Sequence, residues 1–195
     1  YIAVKRYGDD NFSEYFQASN LQDFIGFCPS SGPSVNIKNG AIAIVYTSYN
    51  DQNVYTSYSN LEDMDFSIIL NANSNSNSFQ NYPYILLDDN LHAVWVDQDG
   101  FDIYYGMIDV QMNLILNVQR ISDDNSNSSQ KDPILYKNND ILYSFWSDQR
   151  DGNYEIYFSK GINESIMLGD INQDSIIDVL DVVLIINFIL GQESP

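Results

Sequence analysis

The sequence predicts a mainly β fold of about four repeated, four-stranded antiparallel units, followed by a short loop-and-helix tail. Three observations carry that expectation. Similar stretches recur at a period of roughly 40–50 residues. Within them, short runs rich in Val, Ile, Tyr and Trp alternate with Asp/Asn/Gly clusters, the pattern of strands and tight turns. Beyond about residue 165 the pattern changes to an acidic loop and an apolar run.

The repeats are read as follows. Residues Ile2 to Tyr7 with Glu14 to Ser19 open the first unit at what would be its second strand. The second unit holds strands at Ser34–Lys38, Ala41–Thr47, Asn53–Tyr58 and Phe66–Leu70. The third holds Tyr84–Leu87, Leu91–Val96, Asp102–Ile108 and Leu114–Val118. The fourth contains Leu142 to Trp146 and Glu155 to Ser159, and its last strand would fall in Ile162–Leu168. The best internal match sets Trp95, Asp97, Gln98, Gly100, Asp102, Ile103 and Tyr104 against Trp146, Asp148, Gln149, Gly152, Glu155, Ile156 and Tyr157. Turn clusters such as Asn50 to Asn53 and Asp151 to Asn153 supply positive-φ positions and side chains that bond their own backbone. The Ser/Asn tracts Asn71–Ser78 and Asp123–Ser129 are too polar to bury and read as loops between units.

On these residues the region resembles secreted bacterial β-propeller repeat proteins, whose blades carry a Trp-x-Asp-x-Arg-x-Gly-Asn-x-Asp-Ile-Tyr motif. Trp146 to Tyr157 match it almost throughout, and Trp95 to Tyr104 match it with a two-residue deletion and no Arg. The resemblance implies a propeller and says little about activity, because propellers host many functions. The incomplete first unit leaves three arrangements: a small ring with one short blade, a piece of a longer propeller, or a ring completed by another chain.

The tail, residues 166–195 against a repeat region of 1–165, carries an EF-hand spacing of oxygen ligands. Asp170, Asn172, Asp174, the Ile176 carbonyl, Asp178 and Asp181 fall at loop positions one, three, five, seven, nine and twelve. Calcium is a hard ion that takes six to eight oxygens, and such alternation supplies them. Ser175 stands where Gly is usual, at a cost of about 1 kcal/mol in a left-handed turn. With the run Val179 to Leu190 and Gly191 as its stop, this stretch resembles one half of a type I dockerin, whose second repeat is not present in this sequence. Calcium is the expected cofactor. A helix apolar on nearly every side must be buried. Its residues Val179, Val183, Ile186, Phe188 and Leu190 are the expected contact surface for another protein module or a second copy.

Charge narrows the partners. With 27 acids against 8 bases, a net charge of −19 disfavours nucleic acid and anionic membrane surfaces. No apolar run reaches the roughly 20 residues of a membrane-spanning helix. The lone Cys28 allows no internal disulfide. Catalytic constellations are sparse. The arginines are Arg6, Arg120 and Arg150, with nothing to make them converge as a sialidase-like carboxylate clamp requires. His92, the lone histidine, reads as structural, and Asp97 and Asp148 read as turn residues. The expectation is therefore a secreted, extracellular, non-catalytic binding or assembly module with a calcium-ordered tail. The alternatives are a carbohydrate-active propeller fragment, glycan-binding or sialidase-like, and a subunit of a calcium-dependent extracellular polymer.

The calcium loop is testable by calorimetry. Four carboxylates around one ion repel each other without it. Wild type should take up calcium, and Asp170→Ala and Asp181→Ala should lose most of that uptake; equal uptake by all three would refute the loop.

Overall fold

The computed structural model describes residues 1–5, 7–19, 32–72, 78–98, 101–123, 128–139, 141–162 and 179–189. Backbone contacts divide the chain into two units, Tyr1–Gly161 and Ile162–Pro195. The first is all β. A two-stranded sheet pairs β1 (Ile2–Val4) with β2 (Glu14–Phe16). A four-stranded sheet follows from β3 (Ser34–Lys38), β4 (Ala41–Thr47), β5 (Val54–Asn60) and β6 (Ile68–Asn71). A second is built from β7 (Gln80–Leu87), β8 (Leu91–Asp97), β9 (Asp102–Asp109) and β10 (Leu114–Arg120). A three-stranded sheet holds β11 (Gln130–Asn138), β12 (Ile141–Asp148) and β13 (Glu155–Ile162). Strands follow chain order within every sheet; β1 and β2, β3 to β6, β7 to β10, and β11 and β12 pair antiparallel with their neighbours. These are the expected units. The last strand expected for the fourth, together with Arg6 and Cys28, lies outside the described residues. In the second unit the described part is one helix, α1 (Val179–Ile189).

The apolar runs of the second and third sheets become central strands because both faces of these sheets are covered. Every residue of β4 and β8 is buried. Along β4, Ala41, Ala43 and Val45 pack toward the third sheet, while Ile42 and Ile44 pack with Ile2, Phe16 and Ala18 of the first. Along β8, Leu91, Ala93 and Trp95 face the second sheet; Val94 packs with Leu135 and Val96 with Trp146 of the fourth. Trp95 and Trp146 thus occupy equivalent places, each buried against the preceding sheet. Gly106 makes room for the first of them: a Cβ there would meet the Trp95 ring at 3.0 Å.

β7 starts at Gln80, earlier than the expected Tyr84 beyond its proline, and β11, Gln130–Asn138, is a first strand that the sequence pattern did not mark. A bulge in each lets the ladder resume past the residue with no N–H: pairing skips from Asn81 to Tyr84 and from Lys131 to Ile134.

The first strands of the three larger sheets lie side by side, β7 between β3 and β11. The Ile85 N–H donates to Ser34 Oγ (3.4 Å) and the Leu87 N–H to Asn36 Oδ1 (3.3 Å), so side chains of β3 cover the open edge of β7. At the far end of these strands the Asp88 carboxylate takes Lys38 on one oxygen and Lys137 on the other, tying three sheets at one point. Asp88→Ala would leave the two ammonium groups facing one another. Since Lys38 is itself 43% exposed, the cost should be modest, about 1–2 kcal/mol. It should appear as a lower urea midpoint; an unchanged midpoint would remove the cluster from the account of what holds the sheets together.

Candidate functional site

Three prolines stand fifty residues apart, Pro33, Pro83 and Pro133, each at the head of a sheet's first strand. The residues before them are Gly32, Tyr82 and Asp132. Together with Tyr84 and Ile134 these residues line one recess of about 180 Å³ where the three strands converge. Tyr82 and Asp132 have φ of 51° and 54°. A proline pushes the residue before it toward extended backbone, and a bulky residue rarely accepts a left-handed one. Other left-handed side chains of this protein, such as Asn39, Asn113 and Asn139, sit in turns between strands, where such values are ordinary. Tyr82 and Asp132 sit inside strands, at matching bulges, facing the same recess. Strain of this kind is held only where the surroundings over-determine it, and it clusters at functional sites.

The surroundings are visible. The Tyr82 N–H donates to Asn81 Oδ1 (2.8 Å). Gln80, fully buried, accepts the Val54 N–H on Oε1 (2.8 Å) and donates its own N–H to the Gln52 carbonyl (2.9 Å), anchoring the strand to the preceding sheet. Asp132 is solvent-exposed, while Tyr82 and Tyr84 are half-buried: both line the recess, and they also pack on the clusters around Trp146 and Leu135 respectively. The recess is therefore lined by one carboxylate residue, two tyrosines and apolar side chains.

The residues singled out from sequence lie elsewhere. Asp97 and Asp148 are buried clamps: each accepts a hydroxyl from the strand entering its sheet, Ser78 to Asp97 and Ser128 to Asp148 (3.2 Å). Burial works to raise the Asp148 carboxyl, but Arg150 on two nitrogens (2.6 and 3.0 Å) and the Trp146 Nε1–H (3.2 Å) outweigh it and hold it below the usual range. Arg150 also bridges to Asp123 (2.7 Å) and lies over the Tyr157 ring. Tyr157 is pushed up to about 12, chiefly by donating its hydroxyl to Asp151. Arg120 pairs with Asp102 (3.0 Å). Neither arginine lines the recess. Of the expected calcium ligands, Asp170, Asn172, Asp174, Ile176 and Asp178 lie outside the described residues, and Asp181 falls in the first turn of α1. Of the expected contact residues, Val179, Val183 and Ile186 are exposed on that helix, Phe188 lies on it, and Leu190 lies outside the described residues. No described helix is long and apolar enough to cross a membrane.

Tyr82 and Asp132 escaped the sequence reading, which followed the Trp-Asp turn motif. The signal present was the fifty-residue spacing of the prolines.

No family model matches the sequence, and no curated protein matches it. The fold does match solved structures. An α-L-arabinofuranosidase from Fusarium graminearum is 10% identical, with a TM-score of 0.50 over 76% of this chain and 50% of that one. An α-L-arabinanase from Penicillium chrysogenum is 13% identical, with a TM-score of 0.48 over 74% and 50%. A xylan β-1,4-xylosidase from Bacillus halodurans is 16% identical, with a TM-score of 0.46 over 72% and 30%. The chain thus spans between 27% and about half of the structures it resembles. At these identities the likeness is one of fold: the four-stranded antiparallel sheets are β-propeller blades. It also corrects two expectations, that the chain is a non-catalytic binding or assembly module and that it is no enzyme. The propellers it resembles are glycoside hydrolases. Of the described groups weighed for catalysis, His92, Arg120, Arg150, Asp97 and Asp148 do not line the recess.

His92 is buried, its Nδ1 sharing a hydrogen bond with the Tyr105 hydroxyl (2.8 Å). Burial, then the nearby Lys38 charge, lowers it to about 4 from 6.5. The unfolded chain therefore takes up a proton that the native one refuses. Stability present above pH 6.5 should be lost as pH falls toward 4, by roughly 3 kcal/mol. Urea midpoints between pH 7 and 4.5 should fall more for wild type than for His92→Gln; equal slopes would contradict the assignment.

Proposed function

We propose that this chain is part of a carbohydrate-active β-propeller, and that the recess among Gly32, Tyr82, Tyr84 and Asp132 takes a glycan. The observation that carries the reading is the matched pair of strained residues facing one recess. A sugar fits its chemistry: C–H faces lie on tyrosine rings, and hydroxyls meet the phenol and the carboxylate. Glycoside hydrolysis ordinarily uses two flanking carboxylates. Asp132 is the one carboxylate among the described recess residues, so the reading has it serve as one of the pair, with the other from a part of the ring beyond these strands.

The tail belongs to the same proposal as a calcium-ordered element of the dockerin type. Its donor set, four carboxylates with an amide and a carbonyl, is all oxygen and suits calcium. Calcium would hold the loop in register with α1. Location outside a bacterial cell fits the acidic chain and the calcium pattern.

Binding of neutral oligosaccharides should be lost in Tyr82→Asn and weakened about tenfold or more in Asp132→Ala. Relieving a left-handed tyrosine returns about 1 kcal/mol and offsets part of the packing lost against Val96, Ile103 and Trp146, so Tyr82→Asn should lower the melting temperature only a little while losing the sugar. Unaltered binding in both variants would sink the site.

A further inference from the structure

The geometry points to a two-fold dimer of this chain, in which the outer face of the fourth sheet packs against the same face of a second copy. The inference stands on the packing of the sheets and is independent of the sugar reading. Side chains along a strand alternate between two faces. In the fourth sheet Leu135, Trp146 and Tyr157 pack with the third sheet. Ile134, Tyr136, Tyr143, Phe145, Ile156 and Phe158 therefore share the opposite face. Across the ladder Ile134 stands opposite Phe145, and Tyr136 opposite Tyr143. The Tyr143 and Phe145 rings stack with centres 6.3 Å apart, and Phe145 meets Phe158 at 5.9 Å. One apolar surface thus runs across all three strands.

An antiparallel sheet with one side in water ordinarily carries polar residues on that side. The third sheet shows what a face of this composition is suited to. Ile103 and Tyr105, which match Ile156 and Phe158 in the repeat, are 0% and 8% exposed, packed with Trp146 and Leu135 of the fourth sheet. Ile156 and Phe158 are 72% and 62% exposed. The outer face continues the series of sheet-to-sheet interfaces and is itself open.

Charge argues for a second copy as its occupant. Two chains of net charge −19 repel each other over most of their surfaces. Residues 130–162, however, hold Lys131, Lys137, Arg150 and Lys160, four of the 8 bases, with only Asp132, Asp140, Asp148, Asp151 and Glu155 of the 27 acids. Copies meeting here bring nearly neutral sheets together and keep the acidic remainder apart. An apolar face is also complementary to itself, as a two-fold contact requires. A head-to-tail contact has less to offer: the side of the first sheet that is not packed on the second presents Ala3 and Tyr15, from three-residue strands. Ile134, Tyr136, Ile156 and Phe158 are each about half to three-quarters exposed. At roughly 200 Å² for a large side chain they offer on the order of 500 Å² per copy, the scale of a weak, reversible interface.

Sedimentation of the full chain from about 5 to about 500 μM tests the contact, a range suited to an interface of this size. The wild type should pass from monomer to dimer and stop there. Added salt should tighten the dimer, because it screens the acidic surfaces and leaves an apolar contact intact. Tyr136→Lys and Ile156→Lys, neither of which lines the recess, should each weaken dimerisation tenfold or more by setting like charges across the two-fold axis. Both positions are exposed, so urea midpoints at low concentration should match the wild type. Val183→Lys, on α1, should leave the dimer as it is. A wild type that stays monomeric would assign the face to another protein or another stretch of polypeptide and overturn the dimer. A dimer kept by both sheet variants would do the same, and growth beyond the dimer would overturn the two-fold arrangement.

Discussion

The constraint on which the rest depends is the open edge that every sheet presents along its first strand. A strand edge carries N–H groups that must find acceptors or water. Here β3 supplies them to β7 from Ser34 and Asn36, and the exchange holds the first strands side by side. Once these strands converge, the charges at their far ends meet as well. Lys38, Asp88 and Lys137 come from different sheets and matching places in the repeat, and only convergence makes them one cluster. The recess at the near end is the same convergence seen from the other side.

Packing between sheets follows from that placement. Sheets set face to face must bury both sides, which is why β4 and β8 are buried at every position rather than at alternate ones. Ala41 and Ala43 on one sheet leave volume that Trp95 on the next occupies, and Gly106 yields the space its ring needs. The Trp-Asp motif closes the third and fourth units, with the tryptophan buried against the preceding sheet and the aspartate fastening the incoming strand. The motif that marks these repeats is thus a structural clamp.

The bulges at Pro83 and Pro133 connect fold to function. Proline removes a ladder donor, the strand accommodates by skipping two residues, and Tyr82 and Asp132 come to line the same recess. Gly32, the equivalent position before the first of the three prolines, lines it too, so three different residue types meet at one place.

Much of the fold was legible because strand periodicity and turn residues act locally. The strands of the second and third sheets fall close to where alternating Val, Ile, Tyr and Asp/Asn/Gly clusters put them, and Trp95 and Trp146 are equivalent as their flanking residues imply. The starts of β7 and β11 were not legible, since a proline ordinarily ends a strand and only the ladder shows it bridged by a bulge. The site was hidden for a different reason. Gly32, Tyr82 and Asp132 share no residue type and lie fifty residues apart, so nothing local links them. The sequence by itself determined the repeat, its strands and the oxygen spacing of the tail loop, because these depend on near neighbours in the chain. Only the tertiary structure decided which residues meet, because the recess exists where three separate sheets bring their first strands together.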